Sequence, residues 1–175
     1  MAVPIRSVEE FYAHALLIER EAAERYAEFA QWFEERNSQV AALCRRLSDL
    51  ERDHFEELAR ACSRIEIPDI PAHDYRWIEG PSSPEVSARE LFYGVATPRQ
   101  LLEIALQAEW RAREFFVEVA RTSPSSGVRE LAAVMAAEET EHVRWVRDAL
   151  ERTATAADWD DLIAHGVGPG AFLPD

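Results

Sequence analysis

The sequence predicts an all-α protein: a bundle of four long helices with one long connection between the second and third. Three observations lead there. Apolar residues recur at helical spacing through four long stretches. Glycine is scarce, at 6 of 175 residues, so little interrupts those stretches. Pro68, Pro71, Pro81 and Pro84 cluster in one middle segment, where no long helix fits.

The elements follow in order. Ser7 opens the first helix as N-cap of a capping box, "SVEE", with Glu10 reaching back. Phe11, Leu16, Ile18, Ala22, Tyr26, Phe29 and Phe33 then mark its apolar face, and "RNS" at 36–38 ends it. The second helix runs from about Ser38 to Cys62 on Val40, Leu43, Leu47, Leu50, Phe55 and Leu58. Residues 64–97 form a crossover with one short helix near Val86–Tyr93. Thr97 caps the third helix, with Pro98 at its first position, and the helix runs to about Arg121. "TSPSSG" is a tight connection, and the fourth helix covers roughly Val128–Arg152. Residues 1–153 are thus expected to make the bundle, and 154–175 a tail with a short amphipathic segment around Trp159, Leu162 and Ile163. A single long crossover is the topology of ferritin-like folds.

Charge and composition exclude several roles. A net charge of −14 repels a polyanionic backbone, so no nucleic-acid partner is expected. The same field disfavours an anionic membrane surface, and no run of 18 apolar residues could span a bilayer. The N-terminal stretch has no basic region followed by an apolar core, and the two cysteines, Cys44 and Cys62, form no CxxC motif. A cytoplasmic protein with reduced thiols is the expectation.

The chain repeats itself. At an offset of 90, Glu19 meets Glu109, Glu24 meets Glu114, Tyr26 meets Phe116 and Ala30 meets Ala120. At an offset of 88, Glu51 meets Glu139 and His54 meets His142. One helical hairpin is duplicated, with a lone Glu on its first helix and Glu-x-x-His on its second. Residues three apart share a helix face, so Glu51 and His54 reach one region, as do Glu139 and His142. Glu19 and Glu109 stand among apolar residues, at inward positions. Four carboxylates and two imidazoles therefore enter one layer of the core. Buried carboxylates cost several kcal/mol each without compensation. Two divalent cations balance four carboxylates, and neutral imidazoles complete the shell. A pseudo-twofold axis makes the two histidines equivalent in this reading.

The chain resembles the rubrerythrin branch of the ferritin-like family, over about residues 7–152, through "IEREAAERYAEFA", "LERDHFEEL", "ALQAEWRAREFF" and "MAAEETEHV". The resemblance implies a di-iron carboxylate protein. Its ligands would be Glu19, Glu51, His54, Glu109, Glu139 and His142, with Glu51 and Glu139 bridging and Glu19 and Glu109 terminal. Tyr26 would hydrogen-bond a ligand carboxylate. The implied activity is oxidation of Fe(II) with reduction of O2 or hydrogen peroxide, served by an external electron donor, in a homodimer. Two features depart from the family pattern. No paired CxxC of a rubredoxin domain is present, and Leu106 and Ala112 stand where rubrerythrins carry an extra third-helix Glu. Two iron ions, manganese or a mixed pair suit the ligand set equally. An iron-storage or metal-binding bundle and a hydroxylase of an organic substrate use the same constellation and stay open.

Overall fold

The computed structural model describes residues 4–35, 38–71 and 98–155. Among these residues every regular element is a helix: α1 (Val8–Phe33), α2 (Ser38–Ala61), α3 (Pro98–Thr122) and α4 (Ser126–Thr155). The expected Thr97 cap, the short helix near Val86–Tyr93 and the tail segment around Trp159 lie outside the described residues, as does most of the 64–97 crossover.

Local chemistry sets the helix ends. The Ser7 hydroxyl accepts from the backbone N–H of Glu10 at 3.1 Å, as an N-cap should. The Glu10 carboxylate accepts from the N–H of Arg6 at 2.9 Å, one residue upstream of the donor a standard capping box uses. Helix α4 starts earlier than the sequence predicts because Ser125 caps it. Its hydroxyl accepts from the N–H of Val128 at 3.4 Å, and its carbonyl accepts from the N–H of Arg129 at 3.1 Å. Nothing in "TAT" stops the helix after Arg152, and it continues to Thr155. At the α3–α4 turn the buried Ser123 hydroxyl donates to the carbonyl of Ile5 at 2.7 Å, which ties the N-terminal strap to the bundle end.

Each hairpin packs along its length, α1 on α2 and α3 on α4, and the hairpins meet where α1 faces α4 and α2 faces α3. The core divides into two apolar clusters. One holds Tyr26, Phe29, Phe33, Val40, Leu43, Leu47, Leu101, Leu102, Trp145 and Val146. The other holds Ile5, Phe11, Ala15, Ile18, Cys62, Phe116, Val119, Val128, Ala132 and Met135. Every helix runs through both, but α1 and α4 pass from the second to the first, whereas α2 and α3 pass from the first to the second. Helices α2 and α3 are therefore parallel, although consecutive in the chain. The end of α2 and the start of α3 therefore lie at opposite ends of the bundle, as the single-crossover topology requires. Each large apolar side chain in these clusters contributes roughly 1.5–3 kcal/mol by leaving water.

Trp110, read from the sequence as a packing residue, is 38 % exposed, with the Arg113 guanidinium 5.0 Å above its ring. It follows the inward Glu109 directly, and one residue on an α-helix turns the side chain by about 100°.

Candidate metal centre

Between the two apolar clusters lies a single polar layer. On α1 it falls between Ile18 and Tyr26, and on α2 between Leu47 and Cys62. On α3 it falls between Ala105 and Phe116, and on α4 between Ala136 and Trp145. Glu19, Glu51, Glu109 and Glu139 are its buried carboxylates, and His54 and His142 its half-buried imidazoles. All six ligands predicted from the sequence meet there. His54 Nδ1 lies 3.8 Å from a Glu19 oxygen and 4.0 Å from a Glu51 oxygen. His142 Nδ1 lies 3.4 Å from Glu109 and 3.3 Å from Glu139. The two imidazoles stack across the centre, with centroids 4.6 Å apart and planes 7° from parallel.

Two triads place one donor atom each within 4.8 Å of the others: Glu19, Glu51 and His54, and Glu51, Glu109 and His142. Glu51 belongs to both, as a carboxylate shared between two ions would.

The helices are tied on either side of this layer. The buried Ser48 hydroxyl, one turn before Glu51, donates to the carbonyl of Ala23 on α1 at 2.9 Å. Arg113, one turn after Glu109, donates to the Thr140 hydroxyl on α4 at 3.0 Å. At the repeat offset of 90, Ala23 and Arg113 are counterparts, so each hairpin is pinned one turn beyond its first-helix Glu, by different chemistry and on opposite sides of the layer.

The electrostatics show what the layer lacks. Burial, reinforced by the charge of Glu139, pushes Glu19 up to about 8. Burial, with Glu109 adding, pushes Glu139 up to about 8 against the pull of His142. Burial and the charges of Glu109 and Glu19 hold Glu51 well above the usual carboxylate range. Burial and then the neighbouring His142 lower His54 to about 4. For His142 burial works downward, but the Glu109 and Glu139 carboxylates overcome it and raise the imidazole to about 12. A layer this short of positive charge is one that cations would relieve.

Orientation says the same. Glu139 Oε2 and His142 Nδ1 are both buried and 3.3 Å apart, yet neither takes part in a hydrogen bond. Buried polar groups are normally satisfied. At that distance the two pair by charge when the imidazole is protonated, and a cation between them would take the place of that proton. Carboxylate oxygen and imidazole nitrogen suit iron or manganese, and two divalent ions would balance the four carboxylates. The residues present fit a dinuclear metal group.

Tyr26 is fully buried beside the layer, where burial and then the charges of Glu109 and Glu51 raise its phenol well above its ordinary value. Its hydroxyl makes no hydrogen bond, so the bond to a ligand carboxylate expected from the resemblance is absent in this arrangement. Cys44, two turns before Glu51, is buried, and burial pushes its thiol up to about 12, as befits an inert core residue. Asp53 and Glu141, beside the two histidines, are exposed, as expected. His14 had no predicted role. It is buried, its Nδ1 lies 2.8 Å from the carbonyl of Glu10, and its ring stacks on Phe115.

Comparison with known proteins completes the picture. The family model described as Rubrerythrin matches residues 10–75, the hairpin that carries Glu19, Glu51 and His54. A solved structure, an uncharacterized conserved protein from Magnetospirillum magnetotacticum MS-1, is 33 % identical with a TM-score of 0.65. The match covers 83 % of this chain and 95 % of that one. The chain belongs to the rubrerythrin-like family. No curated protein matches it. Within this rubrerythrin-like chain the second hairpin, beyond the reach of the family model, repeats the same donor set at Glu109, Glu139 and His142. Among the described residues no helix is long and apolar enough to cross a membrane.

Proposed function

We propose that this protein holds two iron ions between its hairpins and oxidises Fe(II) at the expense of hydrogen peroxide or O2. The observation that carries the reading is the buried layer of four carboxylates and two histidines, with Glu139 Oε2 and His142 Nδ1 left without hydrogen bonds. Held by these residues, two Fe(II) ions would supply on oxidation to Fe(III) the two electrons that, with two protons, reduce one hydrogen peroxide to two waters, or O2 to hydrogen peroxide. An external donor returns the electrons.

The chain's own residues supply the rest. Glu51, common to both triads, would bridge, with Glu139 as its repeat counterpart. Glu19 with His54 and Glu109 with His142 would complete the two ends. The apolar clusters above and below are filled by buried side chains and keep bulk water from the layer. That packing favours a small oxidant over an organic substrate. Access lies on the histidine edge: the His54 side chain is 26 % exposed and that of His142 15 %, whereas the carboxylates are nearly sealed. Glu138 stands at that edge. Its pKa is raised by burial, against the pull of His142 and with Glu57 across the seam adding to the rise. An acidic rim of this kind draws cations toward the opening.

The test is metal content followed by single turnover. Anaerobic protein loaded with Fe(II) should hold two ions per chain and oxidise two Fe(II) per hydrogen peroxide added. Glu51→Ala should lose both properties. Wild-type protein that binds fewer than two ions, or a Glu51→Ala variant that keeps both ions and full turnover, would overturn the reading.

A further inference from the structure

The two hairpins share a feature that their letters hide. In the first, Arg52 donates to the Ser48 hydroxyl at 3.2 Å, and Ser48 donates across to the Ala23 carbonyl on α1 at 2.9 Å. In the second, Arg113 donates across to the Thr140 hydroxyl at 3.0 Å, and Thr140 donates to the Ala136 carbonyl at 2.7 Å. At the offsets of 90 and 88, Ala23, Ser48 and Arg52 correspond to Arg113, Ala136 and Thr140. The same three positions therefore build the same arginine–hydroxyl–carbonyl chain twice, with the residues permuted among them. Ala136 lacks the hydroxyl of Ser48; Thr140 supplies one, and the arginine stands on α3 instead.

The second chain runs close to the predicted ligands. Thr140 follows Glu139 directly and lies two residues before His142, and Arg113 lies one turn after Glu109. Arg113 is held at its other end as well. Its guanidinium lies 5.0 Å over the Trp110 ring and donates to Glu114 at 2.7 Å. Its side chain is 27 % exposed, whereas Arg99, Arg121 and Arg144, paired with acids on the same two helices, are 54–69 % exposed. A planar fork fixed at several points has little rotamer freedom left, so its bond to Thr140 sets the helix separation rather than following it. That separation governs the distance from Glu109 on α3 to His142 Nδ1 on α4, which is 3.4 Å. Glu109, His142 and Glu51 are one of the two triads whose donor atoms come within 4.8 Å of one another. Like charge on Glu109 and Glu139 works to spread the same two helices.

We infer that Arg113 is a positioning residue for the metal centre: acting through Thr140, it holds α3 against α4 so that Glu109 and His142 stay within reach of one ion together with Glu51. This rests on the dinuclear reading above and adds to it a residue that touches no ion. Groups that hold ligands in place raise metal affinity without binding metal themselves.

The experiment is an anaerobic titration of the metal-free full chain with Mn(II), which binds without redox chemistry. Free Mn(II) is followed by its electron paramagnetic resonance signal, and helix content by circular dichroism. Arg113→Ala should weaken one of the two bound ions by about threefold to tenfold, the worth of one hydrogen bond, and leave the other within about twofold. Thr140→Val, which keeps the shape and removes the hydroxyl, should do the same. The double variant should bind no more weakly than the worse single one, because both changes break one chain. Arg113→Ala combined with Ala136→Ser and Thr140→Arg rebuilds the first hairpin's arrangement in the second and should recover most of the lost affinity. If Arg113→Ala loses helix content, Thr140→Val is read in its place. A tie that serves the fold alone would lower the denaturation midpoint and leave both Mn(II) affinities unchanged. That outcome, losses that add in the double variant, or a folded triple variant as weak as Arg113→Ala would overturn the inference while leaving the dinuclear reading intact. Failure of wild type to bind a second ion would sink both.

Discussion

Removing metal from this protein should make its stability fall steeply as pH rises through neutrality, and the sign and rough size follow from the buried layer. Glu19 and Glu139 have pKa values raised from 4.5 to about 8. Between those limits the folded chain keeps protons that the unfolded chain has released, so each carboxyl stabilises the fold below pH 4.5 and loses that contribution as pH climbs to 8. At about 1.4 kcal/mol per pH unit, the interval is worth on the order of 5 kcal/mol per carboxyl if nothing relaxes. His142, raised from 6.5 to about 12, acts in the same direction: its contribution is complete below pH 6.5 and drains away above it. His54, lowered from 6.5 to about 4, acts oppositely, contributing above pH 6.5 and losing that contribution as pH falls toward 4. Below pH 6.5 the carboxyl and His54 effects partly cancel. Above it the two carboxyls and His142 add, so the steep loss falls between pH 6.5 and 8. Bound metal reverses the trend, because cations replace those protons and ligands bind better once deprotonated. Chemical denaturation of metal-free and Mn(II)-loaded protein, at half-unit steps from pH 5.5 to 8.5, measures both curves. The metal-free midpoint should drop by several kcal/mol equivalent above pH 6.5, and the gap to the loaded protein should widen. A metal-free midpoint that is flat or rises between pH 6.5 and 8 would refute the reasoning.

Other substitutions separate function from stability. Glu51→Gln should abolish dinuclear binding yet stabilise the metal-free protein by about 2 kcal/mol at pH 8, since it removes a buried carboxyl that has either to hold a proton or to stay charged beside Glu109 and Glu19; denaturant midpoints and metal content read the two effects side by side. Ser48→Ala, which removes the buried bond to the Ala23 carbonyl, should cost about 1–2 kcal/mol and leave two ions bound. Tyr26→Phe should change metal-free stability by less than about 1 kcal/mol, because its hydroxyl has no hydrogen bond to lose, and a thermal melt checks this. Leu47→Ala, in the core beside the polar layer, should cost about 3–4 kcal/mol with metal stoichiometry unchanged.

The helices and the six donors were legible in the sequence because both depend on period. Apolar spacing marks which side of a helix faces in, and a three-residue step places Glu51 with His54 and Glu139 with His142 on one face. The duplication then joined the halves without any knowledge of contacts. What stayed hidden depends on neighbours rather than on period. His14 lies five residues from Glu19, well off the ligand face, yet Phe11 to Ala15 are all buried, because the N-terminal part of α1 is wrapped on every side. Trp110 looked like core from its apolar surroundings, but it sits one residue beyond the inward Glu109 and is turned out to solvent.

The equivalence of the two histidines shows where reading by repeat runs out. Offsets of 90 and 88 map donor onto donor, and a pseudo-twofold would make His54→Ala and His142→Ala mirror images. A repeat preserves which residues face the centre, but the distances between them depend on how each hairpin is packed. Arg113 reaches Thr140 across one hairpin, while its counterpart, Ala23, can offer only a backbone carbonyl to Ser48. Different ties hold the helix pairs, and the histidine-to-carboxylate separations differ between counterparts: 3.8 Å against 3.4 Å for Glu19 and Glu109, and 4.0 Å against 3.3 Å for Glu51 and Glu139. Differences of that size are a small fraction of a helix turn, and no pattern of letters carries them: they are set by the packing of each hairpin, not by the repeat.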